Sequence, residues 1–294
     1  MSATERTVSF TVPGNVLDLH QHVGALVVHA ADGNDVASTR ETDQEQRRTM
    51  MRRFGVTQAA LAPSLQYERP NGWRDTCVLN DAVAAYRDSD PEWFPLAFGT
   101  VDLLSGTANC RAELNRLAAD LSMTGVMWHH RYQGMFLDDR RMHPLLETAG
   151  ELGLTVAVHL FADSAMEAPD ALERLALAHP DLTILTLDAF TAFAQIKALL
   201  PILARCPNLV LDTAGVFPLG RLVDIVVDAI GSDRLVFGSD MYASPKMWNY
   251  PAGLLEVCTS EQLDAAQKAD ILYNNAAALF GLKPPAAADG PAAP

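Results

Sequence analysis

The sequence has few cysteines, and none of them stands in a metal-binding or redox spacing. The four cysteines lie far apart in the chain, at Cys77, Cys110, Cys206 and Cys258. A CxxC motif is absent, which excludes a thiolate metal cluster of that type. With 294 residues the chain is not a small disulfide-rich scaffold either. We therefore expect four buried, reduced thiols.

Positive charge and long apolar runs are also scarce. Lys and Arg number 22 against 36 Asp and Glu, which gives a formal net charge of −14. Because the acidic residues are spread along the chain, we expect neither a nucleic acid nor a membrane surface as partner. No apolar stretch has membrane-spanning length, and residues 1–10 are polar and charged where a signal peptide has an apolar core. We expect a cytoplasmic protein.

Short apolar runs rich in β-forming residues alternate with longer amphipathic segments. The predicted strands are Val16–His22, Val56–Pro63, Phe94–Val101, Gly125–His129, Leu154–Leu160, Leu182–Leu187, Leu209–Thr213 and Arg234–Ser239. The amphipathic segments include Asp81–Ser89, Asn109–Leu121, Pro144–Leu152, Ala171–His179, Phe193–Cys206 and Leu219–Ile230. This alternation indicates βα units with a parallel sheet. Eight such units in about 250 structured residues favour a closed (β/α)₈ TIM barrel.

We expect a single TIM-barrel domain over residues 1–283, followed by a disordered Pro/Ala-rich tail over residues 284–294. An open doubly wound sheet is the alternative fold, but the Gly-rich phosphate-binding turn that would follow its first strand is missing. The polar segment 34–53, with a helical pattern from Thr42 to Phe54, is either a lid over the barrel mouth or an ordinary first helix.

The first predicted strand ends in two histidines separated by one residue, His20 and His22. In a strand this spacing places both imidazoles on one face, where they can hold a divalent metal together. Other predicted strands also end in polar or ligand-type side chains, which are Trp128, His129, His130, His159, Asp188, Asp212, Thr213 and Asp240. Active sites of TIM barrels form at the carboxyl ends of the strands. We therefore predict the functional site at that end of the barrel.

These motifs, in this order, resemble those of the amidohydrolase superfamily, in particular its amidohydrolase-related branch of metal-dependent hydrolases and decarboxylases. Asp18-Leu19-His20-Gln21-His22 resembles the HxH motif of the first strand, and Val158-His159 resembles the histidine of the fifth. The segment Leu235–Asp240 resembles the aspartate motif of the eighth strand, and Ile271–Phe280 resembles the closing helix. The resemblance covers most of the chain and implies a metal-dependent enzyme.

The resemblance implies that His20, His22, His159 and Asp240 bind one divalent metal. Three imidazoles and a carboxylate suit zinc first, with manganese or iron as alternatives. In a hydrolase of this kind the metal acidifies a bound water, and Asp240 takes its proton and later delivers it to the leaving group. In decarboxylating relatives the metal anchors the carboxylate or hydroxyl groups of the substrate instead. The ligand set fits both reactions.

Two positions depart from the family pattern. Met127 stands where binuclear relatives carry a bridging lysine on the fourth strand, so we expect one metal at most. Asp188 stands where this branch usually has a catalytic histidine on the sixth strand. A carboxylate beside a dication is a base or a further ligand and a poor acid at pH 7. Either the chemistry is altered, or the general acid is another group such as His129 or His130.

The residues after the fourth strand are candidates for substrate contacts. The guanidinium of Arg131 can bind a carboxylate through two parallel hydrogen bonds. The alternative is a structural ion pair with Asp138 or Asp139. Tyr132 follows directly.

Three further residues near the ends of the fourth and fifth strands are candidates for other roles. Trp128 is an apolar wall of the pocket or a core residue, and His130 is a further substrate contact. Asp163 either orients the ring of His159 or is the N-cap of a helix that begins at Ser164.

Our leading hypothesis is a mononuclear metal-dependent hydrolase of a small lactone, ester or amide that carries a carboxylate. Asp240, Asp188 and His129 are the predicted catalytic residues. A nonoxidative decarboxylase is the first alternative. A catalytically silent barrel that binds a metal or a small molecule is the second, because Asp188 replaces a histidine. Helix faces on the outside of a barrel also allow a homodimer.

Overall fold

Eight parallel strands, neighbours in space in the order of the chain, form the sheet within the residues that the computed structural model describes, 11–23, 40–64, 72–215, 221–243 and 251–283. The strands are β1 (Leu17–Val23), β2 (Gln58–Pro63), β3 (Leu96–Gly99), β4 (Gly125–Trp128), β5 (Thr155–His159), β6 (Ile184–Leu187), β7 (Leu209–Asp212) and β8 (Leu235–Val236). All eight predicted strands are confirmed, most of them shortened by one to several residues.

The barrel closes between β1 and the segment that begins with β8. The N–H of Leu19 donates to the carbonyl of Phe237 at 2.9 Å, and the N–H of His22 donates to the carbonyl of Met241 at 2.8 Å. The N–H of Met241 in turn donates to the carbonyl of His20 at 3.3 Å. The sheet therefore forms a (β/α)₈ barrel, as predicted, and the open doubly wound alternative is wrong.

Helices follow the strands and cover the outside of the barrel. They are α1 (Arg40–Phe54), α2 (Trp73–Ser89), α3 (Thr107–Ala119), α4 (His130–Gln133), α5 (His143–Glu151), α6 (Pro169–Ala178), α7 (Phe193–Arg205), α8 (Leu222–Ile230), α9 (Ala252–Thr259), α10 (Ala265–Ala269) and α11 (Asn275–Phe280). A 3₁₀ turn at Leu103–Ser105 and a π turn at Asp270–Asn274 complete the described elements. In this part of the chain no helix is long and apolar enough to cross a bilayer.

Alternating strand residues divide the apolar core into two layers. Leu17, Phe98, Met127 and Leu185 belong to the cluster inside the barrel, whereas Val126, Trp128 and Val158 belong to the larger cluster between barrel and helices. Both faces of each strand are thus buried, which is why parallel strands of this chain appear as continuous apolar runs. This alternation determines which side chains at the strand ends face the interior of the barrel.

Helix α1 is an ordinary first helix over its described length. Met50 and Met51 are buried, and Arg47 is fully buried beside the barrel. The lid interpretation is therefore wrong for residues 40–53, and residues 34–39 lie outside the described residues, as does the predicted tail 284–294.

The four cysteines are unpaired, as predicted. Cys110 and Cys206 are buried, but Cys77 and Cys258 are only half-buried, which corrects the expectation for those two.

Candidate active site

A β-bulge in β1 turns the histidine pair into the barrel. Asp18 pairs with Ala59 of β2, but the next paired residue, Gln21, pairs with Leu61, so β1 has one more residue than β2 at this point. Such an extra residue reverses which side of the sheet the following side chains face. His22 consequently lies opposite Ala62, a residue of the interior cluster. Without the bulge, His22 would face the helices.

Each of three buried histidines has its Nδ1 atom engaged by a fixed acceptor. His20 Nδ1 lies 2.7 Å from Asp212 Oδ2, and His22 Nδ1 lies 2.7 Å from the carbonyl of Pro63. His159 Nδ1 lies 2.8 Å from the carbonyl of Trp128. Since a carbonyl or carboxylate oxygen only accepts, the proton of each neutral ring is on Nδ1. When these rings are neutral, the free lone pair of each is on Nε2.

These ring nitrogens converge on one place. The Nε2 atoms of His20 and His22 are 2.9 Å apart, a hydrogen-bond distance at which one of the two is the donor, and a nitrogen of His159 lies within 4.8 Å of both. His159 Nε2 is buried and has no hydrogen-bond partner among the described residues. Buried polar atoms without partners are rare and indicate a group that binds there. Convergent imidazole lone pairs suit a divalent cation, so the residues fit the metal that the resemblance implies.

Burial and nearby carboxylates perturb the three histidines differently. Burial lowers the pKa of His20, but the hydrogen bond and charge of Asp212, with the charges of Asp240 and Asp188, outweigh it and raise this pKa to about 10. Burial lowers the pKa of His22, and it holds the pKa of His159 well below its ordinary value. The carboxylates around His20 therefore place an excess of negative charge there, and a divalent cation would balance it.

Two aspartates lie next to these histidines, and both have a left-handed backbone conformation. Asp240 and Asp188 have φ angles of 55° and 57°. Asp240 Oδ1 lies 3.3 Å from His22 Nε2 and 3.6 Å from His20 Nε2. Burial raises the pKa of Asp240, but its hydrogen bond to His22 and the charges of the histidines lower it below the ordinary value overall. Burial and the charge of Asp240 raise the pKa of Asp188 well above its ordinary range.

Within the described residues, three overlapping groups have ligand atoms close enough to hold a metal ion. They are His20 with His22 and His159, His129 with His159 and Asp188, and His20 with Asp188 and Asp240. The structure thus brings together six of the predicted strand-end residues, His129 among them. Met127, which stands where binuclear relatives carry a bridging lysine, belongs to the interior cluster below this site.

Asp212, at the end of β7, accepts hydrogen bonds from residues of two other strand ends. Its Oδ2 accepts from His20, while its Oδ1 accepts the N–H groups of Asp188 at 2.9 Å and Ala214 at 3.2 Å. Gly238 packs directly against this carboxylate, since a Cβ added at Gly238 would lie 2.5 Å from Asp212 Oδ2. The close approach of β7 and the segment after β8 therefore requires glycine at this position.

Asp18 links β1, which carries His20 and His22, to the segment that carries Asp240. Its Oδ1 accepts the N–H of His20 at 3.1 Å and the N–H of Ser239 at 3.0 Å, and its Oδ2 accepts from Ser239 Oγ at 2.6 Å. Arg47 supports β1 from behind by donating to the carbonyl of His22 at 2.8 Å and to Gln21 Oε1 at 3.1 Å. The histidine strand is fixed from both sides.

His129 lies directly after β4 and stacks on His159. The two ring centroids are 4.0 Å apart with an interplanar angle of 7°. His129 Nδ1 lies 2.6 Å from Glu167 Oε1, and the rings of His129 and Tyr132 make a T-shaped contact with centroids 4.3 Å apart. Burial lowers the pKa of His129 despite the opposing charge of Glu167. The predicted catalytic histidine is thus a neighbour of the candidate metal ligands.

Arg131 pairs with Glu167, so the predicted ion pair with Asp138 or Asp139 is wrong. Arg131 Nε donates to Glu167 Oε2 at 2.9 Å. Asp138 pairs with Arg174, and Asp139 pairs with Arg141, both on the surface. Asp138 and Asp139 are paired with other arginines, and the loop after β5 supplies the carboxylate for Arg131 instead.

The structure does not bring Trp128 and His130 to the ligand groups. The indole of Trp128 packs in the layer between barrel and helices, since it alternates with the inward-facing Met127 and His129. The pocket-wall interpretation of Trp128 is therefore not supported, and its core interpretation is. His130 is fully buried in α4, its Nδ1 lies 3.1 Å from the carbonyl of Met135, and burial lowers its pKa to about 4.

Asp163 has neither of its predicted roles. It is exposed, and the next helix, α6, begins only at Pro169. His159 is oriented by the carbonyl of Trp128 instead. The acidic residue of this loop that reaches the site is Glu167, which the sequence analysis did not single out. It stands in irregular structure with no local pattern that distinguishes it from other surface glutamates.

Comparison with known proteins places the chain in a family. The model of the amidohydrolase family matches residues 17–282. The chain belongs to the amidohydrolase family. A comparison with curated protein sequences finds no match.

Several solved structures share the fold at low sequence identity. They include 5-carboxyvanillate decarboxylase from Novosphingobium aromaticivorans complexed with manganese and 4-hydroxy-3-methoxy-5-nitrobenzoic acid, with 16% identity, a TM-score of 0.69, and coverage of 92% of this chain and 96% of that one. The 4-oxalomesaconate hydratase LigJ from Rhodopseudomonas palustris has 15% identity and a TM-score of 0.68, with coverage of 90% and 95%. The IDCase of Metarhizium anisopliae has 17% identity and a TM-score of 0.64, with coverage of 91% and 97%.

Proposed function

We propose that this amidohydrolase-family protein is an enzyme that depends on one divalent metal. The observation that carries the proposal is the set of three buried histidines whose Nδ1 atoms are all engaged and whose Nε2 atoms converge, that of His159 without any partner among the described residues. His20, His22, His159 and Asp240 would hold the ion. The imidazole-rich set favours zinc, and manganese is the alternative, since one structural neighbour contains it. When bound, the ion would supply Lewis-acid polarisation and an acidified water.

The leading reaction is hydrolysis of a small lactone, ester or amide that carries a carboxylate. Asp240 is the proposed general base, because its Oδ1 lies beside the Nε2 atoms of His20 and His22 while its side chain remains 22% exposed. It would accept a proton from the attacking water at Oδ1 and return it to the leaving group. Asp188 and His129 lie next to the proposed metal ligands, where each would accept or hold a proton near the reacting bond.

Substrate recognition is assigned to the residues after β4. The two Nη groups of Arg131 have no partner among the described residues, and its side chain is 27% exposed. They would hold a carboxylate of the substrate through two parallel hydrogen bonds. Tyr132 is 44% exposed next to His129 and would cover the substrate from the rim.

Nonoxidative decarboxylation is the second candidate reaction. It is favoured by the structural neighbours, which include a 5-carboxyvanillate decarboxylase of nearly the same length. In this reaction Asp240 or Asp188 would deliver a proton to the carbon that bears the carboxylate, and the C–C bond would then break, releasing carbon dioxide and leaving its electron pair on that carbon. The same Arg131 clamp would then hold a second carboxylate of the substrate.

One assay separates the two reactions. Protein loaded with zinc or manganese is offered carboxylate-bearing lactones, esters and amides, and separately aromatic and enoic acids. Acid release is followed with a pH indicator and carbon dioxide with a coupled assay. We expect turnover in one set, lost in Asp240→Asn and kept in the surface variant Asp139→Asn. Equal product formation by wild type and Asp240→Asn would contradict the proposed base, and no metal-dependent turnover in either set would favour the silent barrel.

A further inference from the structure

Glu167 is a completely buried carboxylate next to the candidate active site but outside the proposed metal ligands. It lies in the loop between β5 and α6, and its side chain is 0% exposed. Three donors reach it from the residues after β4: the ring of His129 at 2.6 Å, the N–H of Arg131 at 3.0 Å and the Nε of Arg131 at 2.9 Å. One buried side chain therefore holds a histidine of the site and an arginine of the rim together.

The contacts of Glu167 match an ionised carboxylate. Oε1 receives both His129 and the N–H of Arg131, and Oε2 receives Arg131 Nε. Each oxygen accepts a hydrogen bond from Arg131, an arrangement that favours the ionised form. Burial raises the pKa of Glu167, but His129 and Arg131 outweigh it and lower this pKa below the ordinary value. The proton of the neutral His129 ring is consequently on Nδ1, which leaves Nε2 as its free nitrogen.

Stacking fixes the same two residues in a second way. The guanidinium carbon of Arg131 lies 3.6 Å from the centroid of Phe161. The Phe161 ring is parallel to His129 within 3°, with centroids 5.7 Å apart, and His129 is in turn parallel to His159. Arg131, Phe161, His129 and His159 thus form a continuous stack from the rim to a candidate metal ligand. A guanidinium held by its Nε and one face presents its two Nη groups outward.

We propose that Glu167 is a positioning residue that holds His129 with Nε2 free and Arg131 with both Nη groups free, so that a carboxylate of the substrate binds at a fixed place relative to the metal ligands. The assignment rests on the proposed function only in so far as the bound carboxylate belongs to a substrate. The hydrogen bonds and the stack stand independently of it.

Glu167→Gln tests the proposal with little change in volume. A glutamine has one acceptor oxygen, and its NH₂ group must face a donor in either orientation. If the oxygen faces His129, Arg131 Nε loses its acceptor. If the oxygen faces Arg131, His129 must move its proton to Nε2 to accept from the amide. The matched control is Glu113→Gln, because Glu113 is also a buried carboxylate that receives an arginine, Arg116, but it lies on α3, where it contacts Asn80 of α2.

The first measurement is the tautomer of His129, from ¹⁵N–¹H spectra of histidine side chains in protein prepared without and with zinc. The His129 signals are assigned by their loss in His129→Gln. We expect the Nδ1–H form in the wild type and in Glu113→Gln. In Glu167→Gln we expect the Nε2–H form or a mixture where the amide nitrogen faces His129, with His20, His22 and His159 unchanged, and weaker benzoate binding where the glutamine oxygen faces His129 instead. An unchanged His129 tautomer, together with unchanged benzoate binding, would overturn the proposal.

The second measurement is calorimetric titration with benzoate as a carboxylate probe. We expect affinity to fall by about tenfold in Glu167→Gln and in Arg131→Gln, because a preorganised clamp is lost, and to stay unchanged in Glu113→Gln. Benzoate affinity that is the same in wild type and Arg131→Gln would overturn the clamp. Because neither measurement uses turnover, both expected results can be obtained even if the protein proves not to hydrolyse or decarboxylate anything, so the two proposals fail separately.

Discussion

Replacing Asp212 by asparagine should weaken metal binding without removing any proposed ligand. The carboxylate accepts from His20 Nδ1 through one oxygen and from two backbone N–H groups, those of Asp188 and Ala214, through the other. An asparagine oxygen can serve the backbone donors, but its NH₂ then faces His20 Nδ1. His20 must accept at Nδ1 and carry its proton on Nε2, where the lone pair for the metal was.

The expected magnitude follows from the role of such partners. Removing a residue that orients a metal-bound histidine typically costs about 10- to 100-fold in metal affinity. At about 1.4 kcal/mol per factor of ten, this is roughly 1.4 to 2.8 kcal/mol of binding free energy. The opposite orientation of the amide would preserve His20 but oppose its NH₂ to the two backbone N–H groups, so the variant is impaired either way.

The assay is competition for zinc against a chromophoric chelator, with wild type, Asp212→Asn and Asp139→Asn side by side. Asp139 is paired with Arg141 on the surface, so its substitution controls for loss of one charge. Circular dichroism verifies that each variant is folded. Wild-type zinc affinity in folded Asp212→Asn would refute the reasoning that the tautomer of His20 is set by Asp212.

Three further outcomes follow from the packing and the charges. Gly238→Ala should lower the free energy of unfolding by about 1–3 kcal/mol in urea titrations, because its Cβ would meet Asp212 Oδ2 at 2.5 Å, whereas Gly150→Ala, with its nearest neighbour at 3.5 Å, should not. Hydrogen bonds from its arginine and asparagine partners outweigh burial and depress the pKa of Glu113, so its stabilising contribution is complete above the unfolded pKa of about 4.3 and is lost as pH falls through the folded value. Urea titrations from pH 7 to pH 3 should therefore show the stability gap between wild type and Glu113→Gln closing, and a constant gap would contradict this sign. Arg47→Leu should cost about 3–5 kcal/mol in the same assay, since it leaves a buried aspartate without its guanidinium, and a loss below 1 kcal/mol would argue against the buried pair.

The barrel itself was predictable because its strands differ so clearly from its helices. Runs such as Ile184–Leu187 are apolar on both faces, and the segments between them have a helical apolar period. The exact ends were not predictable, since apolar residues continue past the last ladder hydrogen bond, as in the segment after β8. The start of α2 at Trp73 was also missed, because its first turns contain polar residues that resemble a loop.

The histidines were predictable as a pair, but their direction was not. Spacing placed His20 and His22 on one face, and only the bulge of β1 decides that this face is the interior. A bulge depends on how two strands pair, which is not encoded in either strand alone. The same strand alternation, applied to β4, would have separated Trp128 from His129.

Partners far apart in the chain were the residues that sequence reasoning could not supply. Arg131 was considered with the nearby Asp138 and Asp139, whereas its partner Glu167 lies 36 residues away in an irregular loop. Asp212 was noticed at a strand end, but its contact with His20 spans 192 residues. Ion pairs and hydrogen bonds of this kind depend on which loops the barrel brings together, and no local pattern predicts them.

The most direct test of the account is the metal content of protein purified without chelator or added metal, measured by mass spectrometry for wild type, His20→Ala and Asp188→Ala. We predict about one zinc or manganese ion per wild-type chain, lost in His20→Ala and retained in Asp188→Ala, since three histidines and Asp240 hold it. A wild-type protein that contains no divalent metal, even after reconstitution at neutral pH, would contradict the central claim that the converging histidines form a metal site.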